Sequence, residues 1–400
     1  MQEEVHNPVI RPAQHRIQAF CTRAQAIVAL TLATLLLLAA PAALAAPVEL
    51  TFMHAFHHVG TATQQYIVDE FNRTHPDIHV TIEQVPWNQA LEIARVRTAG
   101  GVPPDVISAS PADFFGFAAQ QGLFLDLTSW VERHWDEFSD IPAPVWEEVS
   151  IGGTIYAIPQ RLSTQVLFYN VDQFEEAGLA RPPYNWFDSS WNWDQFRIYA
   201  QRLTRDADGD GFTDVFALQN PIPVRFSTFL YATTGHYVTE DYSDFSLDYP
   251  DALEAVLFVH ELSQAGHLGG NYMQGTASMY ITPPTQLGSM QAAAFTWDVA
   301  PMPQGPAGPG TTLGPIAVGV HKDTEHQEAA LEFLRFYRSK WAAALETQNG
   351  IVVQPFFSVT GDLRNYPEGT TQGQVDVFAQ ALTVGRAHRS NHPNANEITN

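Results

Sequence analysis

The hydrophobic positions change period several times along the chain. V-E-L-T-F-M from Val48 is an extended apolar run, and after a His/Gly loop Gln64, Tyr66, Ile67, Val68, Glu70 and Phe71 follow helical spacing. I-H-V-T-I-E from Ile78 alternates like a strand, and a helical pattern follows from about Asn88 to Ala99. D-V-I-S-A-S, from Asp105 to Ser110, reads as a buried strand, with a helix from Pro111 and Ala112 to Gly122. This alternation predicts an α/β region with a largely parallel sheet, whose ligand groove lies at the carboxyl ends of the strands. The segments after those ends are H-A-F-H-H, V-P-W-N and S-A-S-P-A-D.

A second region opens with V-L-F-Y-N at Val166 to Asn170 and carries helical patterns near Asn192 to Arg205 and Asp251 to Gln264. It reaches F-T-W-D-V-A-P-M-P at Phe295 to Pro303, and Q-G-P-A-G-P-G-T-T then forms a Pro/Gly connector. I-A-V-G-V is strand-like, and Glu325 to Lys340 is strongly periodic, with Ala329, Leu331, Phe333, Leu334 and Tyr337 on its pattern. No internal repeat is evident.

The first 45 residues stand apart from this pattern. Arg11, Arg16 and Arg23 precede an apolar run from Ala26 to Ala40, and A-L-A follows at Ala43 to Ala45, as in a secretory signal. The run is about fifteen residues, short for a membrane span, so cleavage after Ala45 and a periplasmic or secreted mature protein, not inserted in the membrane, are expected. Cys21, the only cysteine, precedes the run and is not placed to accept lipid. The mature chain then has no disulfide, thiolate metal site or cysteine nucleophile. Roughly 355 residues remain, a length suited to two lobes. The formal charge of −23 excludes nucleic acid and anionic lipid as comfortable partners.

D-A-D-G-D-G-F-T-D, from Asp206 to Asp214, has the oxygen-ligand spacing of a calcium loop at Asp206, Asp208, Asp210 and Asp214, with glycine at the sixth position. Its twelfth position is Ala217, so the closing bidentate Glu is missing. Both a bound calcium and a plain Asp/Gly turn remain open, and any calcium would be structural. His54, His57 and His58 make a poor zinc cage, having no second cluster of suitable spacing. There is no G-x-S-x-G elbow, H-E-x-x-H helix or P-loop.

Several segments together resemble the extracellular solute-binding proteins of ABC importers, the sugar-binding group called family 1. They are F-N-R-T-H-P-D-I-H-V, G-V-P-P-D-V-I, G-L-F-L-D-L-T at Gly122 to Thr128, G-G-T-I-Y-A-I-P at Gly152 to Pro159, V-L-F-Y-N-V-D-Q-F-E-E-A-G-L, P-P at Pro182 and Pro183, W-N-W-D-Q-F, A-P-M-P-Q-G-P-A-G at Ala300 to Gly308, and A-A-L-E-F-L-R-F at Ala329 to Phe336. Each is weak alone; their order carries the resemblance. It implies a two-lobed α/β fold of the periplasmic-binding-protein type II class, lobes joined by crossing hinge strands with a ligand cleft between them. Lobe 1 is expected at residues 46–160 plus 314–355, lobe 2 at 165–303 plus 356–400, with hinges near 160–165 and 304–313. The resemblance also implies a helix or two beyond a segment like A-L-T-V-G-R-A-H-R-S-N-H-P-N; this chain stops at Asn400, which leaves truncation or divergence of the second lobe open.

Carbohydrate sites pair aromatic faces with hydrogen-bonding polar groups. Trp87, after a strand end, and Trp297, before the return to the hinge, are read either as cleft aromatics or as packing. Trp191 and Trp193 fit capping and packing at a helix start, and Tyr169 fits lobe core. His57 and His58 at the first strand end are polar cleft candidates; Ser110 and Asp113 at the third either contact ligand or cap a helix. Arg161 and Ser163 lie on the first crossing, Arg161 as a ligand contact or a hinge salt bridge, and Asn220 and Arg225 follow the strand after the acidic loop. The expected function is binding of a carbohydrate and its delivery to permease subunits by a monomer that requires no cofactor. The alternatives are a secreted glycoside-active enzyme and a sugar-binding subunit feeding a chemosensory receptor.

Overall fold

The computed structural model describes residues 46–56, 61–86, 89–109, 122–221, 223–235, 247, 249–351 and 353–387. The expected signal segment, at residues 1–45, lies outside them. Among the described residues, no helix is long and apolar enough to cross a membrane.

Two sheets organise the body that begins at Val48. The first contains β1 (Val48–Phe56), β2 (Ile78–Pro86) and β3 (Val106–Ala109), all parallel, with α1 (Thr61–Thr74) and α2 (Ala90–Ala99) as crossovers. The alternation read from the sequence thus becomes two βαβ units. Between residues 122 and 157 come short helices and a hairpin, β4 (Ser150–Ile151) and β5 (Thr154–Ile155). Its two-residue turn places Gly152 and Gly153 at φ of 59° and 84°, left-handed values that glycine adopts without strain.

β6 (Ile158–Ser163) belongs to the first sheet, and β7 (Val166–Asn170) opens the second. Only Thr164 and Gln165 separate them, so the chain passes from sheet to sheet in two residues. The second sheet has the order β10-β7-β9-β8, with β8 (Phe216–Leu218), β9 (Ala277–Thr282) and β10 (Trp297–Ala300) running one way and β7 the other. Around it lie α3 (Trp193–Leu203), α4 (Pro223–Leu230) and α5 (Pro250–Gln264). The chain returns in β11 (Thr311–Val320), a wholly buried ten-residue strand antiparallel to both β3 and β6.

The connector before β11 packs on the second half. Ala307 N–H bonds to the Ala232 carbonyl at 3.0 Å, and a Cβ on Gly310 would stand 2.1 Å from the Tyr231 carbonyl oxygen, so glycine is required there. The strand itself begins at Thr311, inside the segment read from sequence as connector.

The periodic segment expected as a helix from Glu325 to Lys340 forms α6 (Gln327–Tyr337), which ends at Arg338, and a separate α7 (Lys340–Gln348), capped by the Ser339 hydroxyl, follows it. Residues 356–360, expected in lobe 2, instead hold the first half: Phe357 N–H bonds to the Asp140 carbonyl and Ser358 to the Asp140 carboxylate. The later α8 (Gln372–Val384) packs on the second half, where Trp186 donates its indole N–H to the Val377 carbonyl at 2.8 Å and Gln374 bonds Asp298 at 3.0 Å. β12 (Gly385–Ala387) then adds to the start of β11.

Candidate functional site

Strand directions decide where a site can form. The carboxyl ends of β1, β2, β3 and β6 share one edge of the first sheet, and β7 starts where β8, β9 and β10 end. The two-residue link from β6 to β7 therefore brings both sets of carboxyl ends to the crossings, the place where α/β sheets hold ligands. The crossings are tied together: the Thr311 hydroxyl donates to the Gln165 carbonyl at 2.7 Å and accepts from the Gln165 N–H at 3.2 Å.

A bulge shapes the first-sheet side of this edge. Ala317 pairs with Pro159 and Ile316 with Arg161, leaving Gln160 as the extra residue. Gln160 then reaches the same face as Arg161, where its amide donates to the Tyr337 hydroxyl at 3.0 Å and to Glu346 Oε1 at 2.9 Å. Gln64 of α1 donates to the same oxygen at 2.9 Å. Glu346 Oε2 faces Arg338 Nη1 at 3.3 Å, both side chains being fully buried. Arg338 also bonds the carbonyls of Pro159, Gln160 and Tyr337, so one guanidinium fastens both sides of the bulge.

Arg161 sits beside this hub, half-buried at the crossing. Burial holds its guanidinium below the usual arginine range, with Glu346 acting in the opposite direction. His54, near the end of β1, is almost wholly enclosed, and desolvation together with the Arg161 charge lowers its pKa to about 3, so the imidazole is neutral.

The predicted site residues divide. His57, His58, Trp87, Ser110 and Asp113 lie outside the described residues. Arg161 and the exposed Ser163 lie in the last three positions of β6 at the crossing edge, and the exposed Asn220 lies just past the end of β8 on the second-sheet side. Arg225, on α4, is turned to the sheet: its guanidinium lies 4.5 Å from the Tyr280 ring centre and donates to the Tyr280 hydroxyl at 2.7 Å. Trp297 is not at the cleft edge. It begins β10, paired with Asn170 at the last position of β7, and packs against Phe168 at 5.7 Å. β10 runs toward the crossing, so Ala300 and not Trp297 stands at the edge. Trp191, Trp193 and Tyr169 are buried, Trp193 stacking on Phe258 at 4.2 Å.

In the acidic turn, Asp206, Asp208 and Asp210 offer oxygens within 4.8 Å of one another, all exposed. Asp206 accepts from the amides of Gly209 and Gly211, which hold its carboxyl below the usual range, while Asp214 accepts from Ala207 and Asp208. Three of the four expected ligands therefore converge, and the fourth closes the turn by main-chain bonds.

Comparison with known proteins places this geometry in context. The family model described as bacterial extracellular solute-binding protein matches residues 57–344. An uncharacterised lipoprotein of Streptomyces antibioticus is 28% identical over 333 residues, covering 77% of this chain and 72% of the relative. The maltotriose-binding protein of Pyrococcus abyssi is 23% identical over 345 residues, covering 80% and 68%. Among solved structures, the sugar-binding protein MalE from Xanthomonas citri superposes with a TM-score of 0.75 at 18% identity, covering 88% of this chain and 89% of that one, a likeness of fold.

Proposed function

Because the chain belongs to the bacterial extracellular solute-binding proteins, we propose that it binds a carbohydrate between its two halves and delivers it to the permease subunits of an ABC importer. The observation that supports this reading most is the meeting of both sets of strand carboxyl ends at a doubly crossed, hydroxyl-tied junction. Carbohydrate, rather than another solute, is supported by the relatives named for maltotriose and for multiple sugars. Arg161, Ser163 and Asn220, at or just past strand ends on the crossing edge, are candidates to meet the ligand. Closure of the halves about the crossings shields the sugar from water, the ligand selecting the closed state. The protein works outside the cytoplasm after removal of residues 1–45, and it returns its ligand unchanged. A calcium held by Asp206, Asp208 and Asp210 stiffens a surface turn and takes no part in recognition.

Calorimetric titration of the exported protein with maltotriose, an arabinooligosaccharide and a galactooligosaccharide tests the reading. Saturable binding of at least one, recovered intact and accompanied by a smaller radius of gyration in solution scattering, is expected. Absence of binding across the panel, or recovery of cleaved glycan, overturns it.

A further inference from the structure

Just below the edge where the strand ends meet, His54 and Ser108 each enclose a polar atom that the protein does not satisfy by itself. His54 lies two residues before the end of β1, is 3% exposed, and has its Nδ1 enclosed without a hydrogen-bond partner. Ser108 of β3 is in register with it, is fully buried, and has its Oγ without a partner as well. Because paired residues on neighbouring strands share a face and every second residue along a strand returns to it, the same face continues through Val318 and Ile316 of β11 to Arg161 on β6. His54 and Ser108 thus stand side by side across the strands, with Arg161 on the same face and displaced toward the crossing edge.

This pair is out of place as core. Phe52, one step back on the same face of β1, packs edge-on against Phe333 and Tyr337, and an apolar residue at position 54 would continue that packing. An enclosed donor or acceptor without a partner is costly, and here two of them stand opposite each other on adjacent strands. Their chemistry is specific: an imidazole kept neutral by burial and by Arg161 offers one donor and one acceptor nitrogen, and a hydroxyl offers both functions. A sugar hydroxyl, which also donates and accepts, can complete both.

We propose that His54 and Ser108 are specificity-determining contacts that hydrogen-bond ring hydroxyls of the bound carbohydrate on the first-sheet wall; the inference rests on the carbohydrate reading above. It has an unusual consequence. Removing an unsatisfied buried polar atom should not weaken the ligand-free fold, whereas removing a ligand contact should weaken binding.

The test uses His54→Phe and Ser108→Ala in the full mature chain, titrated with maltotriose, the arabinooligosaccharide and the galactooligosaccharide. Ser108→Ala carries the test alone if His54→Phe fails to fold, and the ring 15N signals of His54 are followed in the unaltered protein. Tenfold or greater loss of affinity for the sugar that binds, an unchanged or higher ligand-free melting temperature, and a ligand-induced shift of the His54 ring signals are expected. Equal affinity in the variants with unmoved ring signals overturns the inference, gives the pair to buried water, and leaves the carbohydrate reading standing. Failure of every sugar to bind the unaltered protein overturns both.

Discussion

Arg338 and Glu346 face each other at 3.3 Å with no exposed surface, whereas Asp206, Asp208 and Asp210 stand in solvent on a turn whose amides they bond themselves. Both are concentrations of charge, and their settings make them unequal. At the turn, water can replace each lost bond, so each carboxylate contributes little to stability. At the hub, no water is available to replace a partner. Removing Glu346 strands a guanidinium, takes the acceptor from the Gln64 amide and leaves the Gln160 amide with the Tyr337 hydroxyl alone. Charge that is conspicuous in the sequence is therefore weak in the fold, and the charge that fixes the crossing strand comes from residues with no motif around them.

The sharpest way to break this contrast is Glu346→Ala. An uncompensated buried charge costs about 3–5 kcal/mol, and chemical denaturation should read a loss of that size. Joint replacement of Arg338 by Met and Glu346 by Leu should cost less than the single change, since the stranded charge goes too. If the single change costs under about 1 kcal/mol, the hub is no different in kind from the turn.

A second test concerns an aromatic that the strand direction moves away from the ligand. Trp297→Ala should lower stability by about 2 kcal/mol through lost packing on Phe168 while leaving sugar affinity within twofold. A large affinity loss in a folded variant would return Trp297 to the cleft.

These two residues also mark what the sequence makes legible. The β1, β2 and β3 periods, the crossovers and V-L-F-Y-N are local patterns, and they appear as read. β9, A-S-M-Y-I-T, pairs both β7 and β8, but its short enclosed run carries no alternation to betray it. The position of Trp297 depended on which way β10 runs, and that is settled by pairing with β7, not by anything local. Arg338 did leave a signal: four residues after Leu334, it would put a charge on the buried face of a continuous helix. The helix ends there instead, and the charge finds Glu346. The Gln160 bulge left none, because a bulge exists only relative to a partner strand.

The neutral His54 gives the buried region a pH signature that begins well above the carboxylate range in which Asp206 of the turn acts. Its folded pKa of about 3 lies below the ordinary 6.5, so between those values the unfolded chain binds a proton that the folded one refuses. Stability from this group is full above pH 6.5 and is lost as pH falls through the window. His321 and His267 are also lowered, chiefly by desolvation, and act in the same direction. From pH 6.5 to 5, before most carboxylates titrate, unfolding free energy should fall by up to about 1.4 kcal/mol per pH unit for His54 alone. His54→Phe should flatten that slope; an unchanged slope would mean that the imidazole charges freely in the folded state.

The smallest effect should come from the turn itself. Asp208→Asn removes one of three converging carboxylates while keeping a side-chain oxygen for the Asp210 amide, so in chelator the variant should match the unaltered protein to within about 0.5 kcal/mol. Added calcium should raise the melting temperature of the unaltered protein modestly, by an amount that grows with the logarithm of calcium concentration, and the rise should shrink in Asp208→Asn. Sugar affinity should not respond to calcium in either, because the oxygens lie on a surface turn after α3 while the ligand edge is built from strand ends. A calcium-dependent change in affinity at fixed stability would join the two regions and remove the contrast between them. A melting temperature indifferent to calcium would instead leave the turn held by the amide bonds that its four aspartates accept.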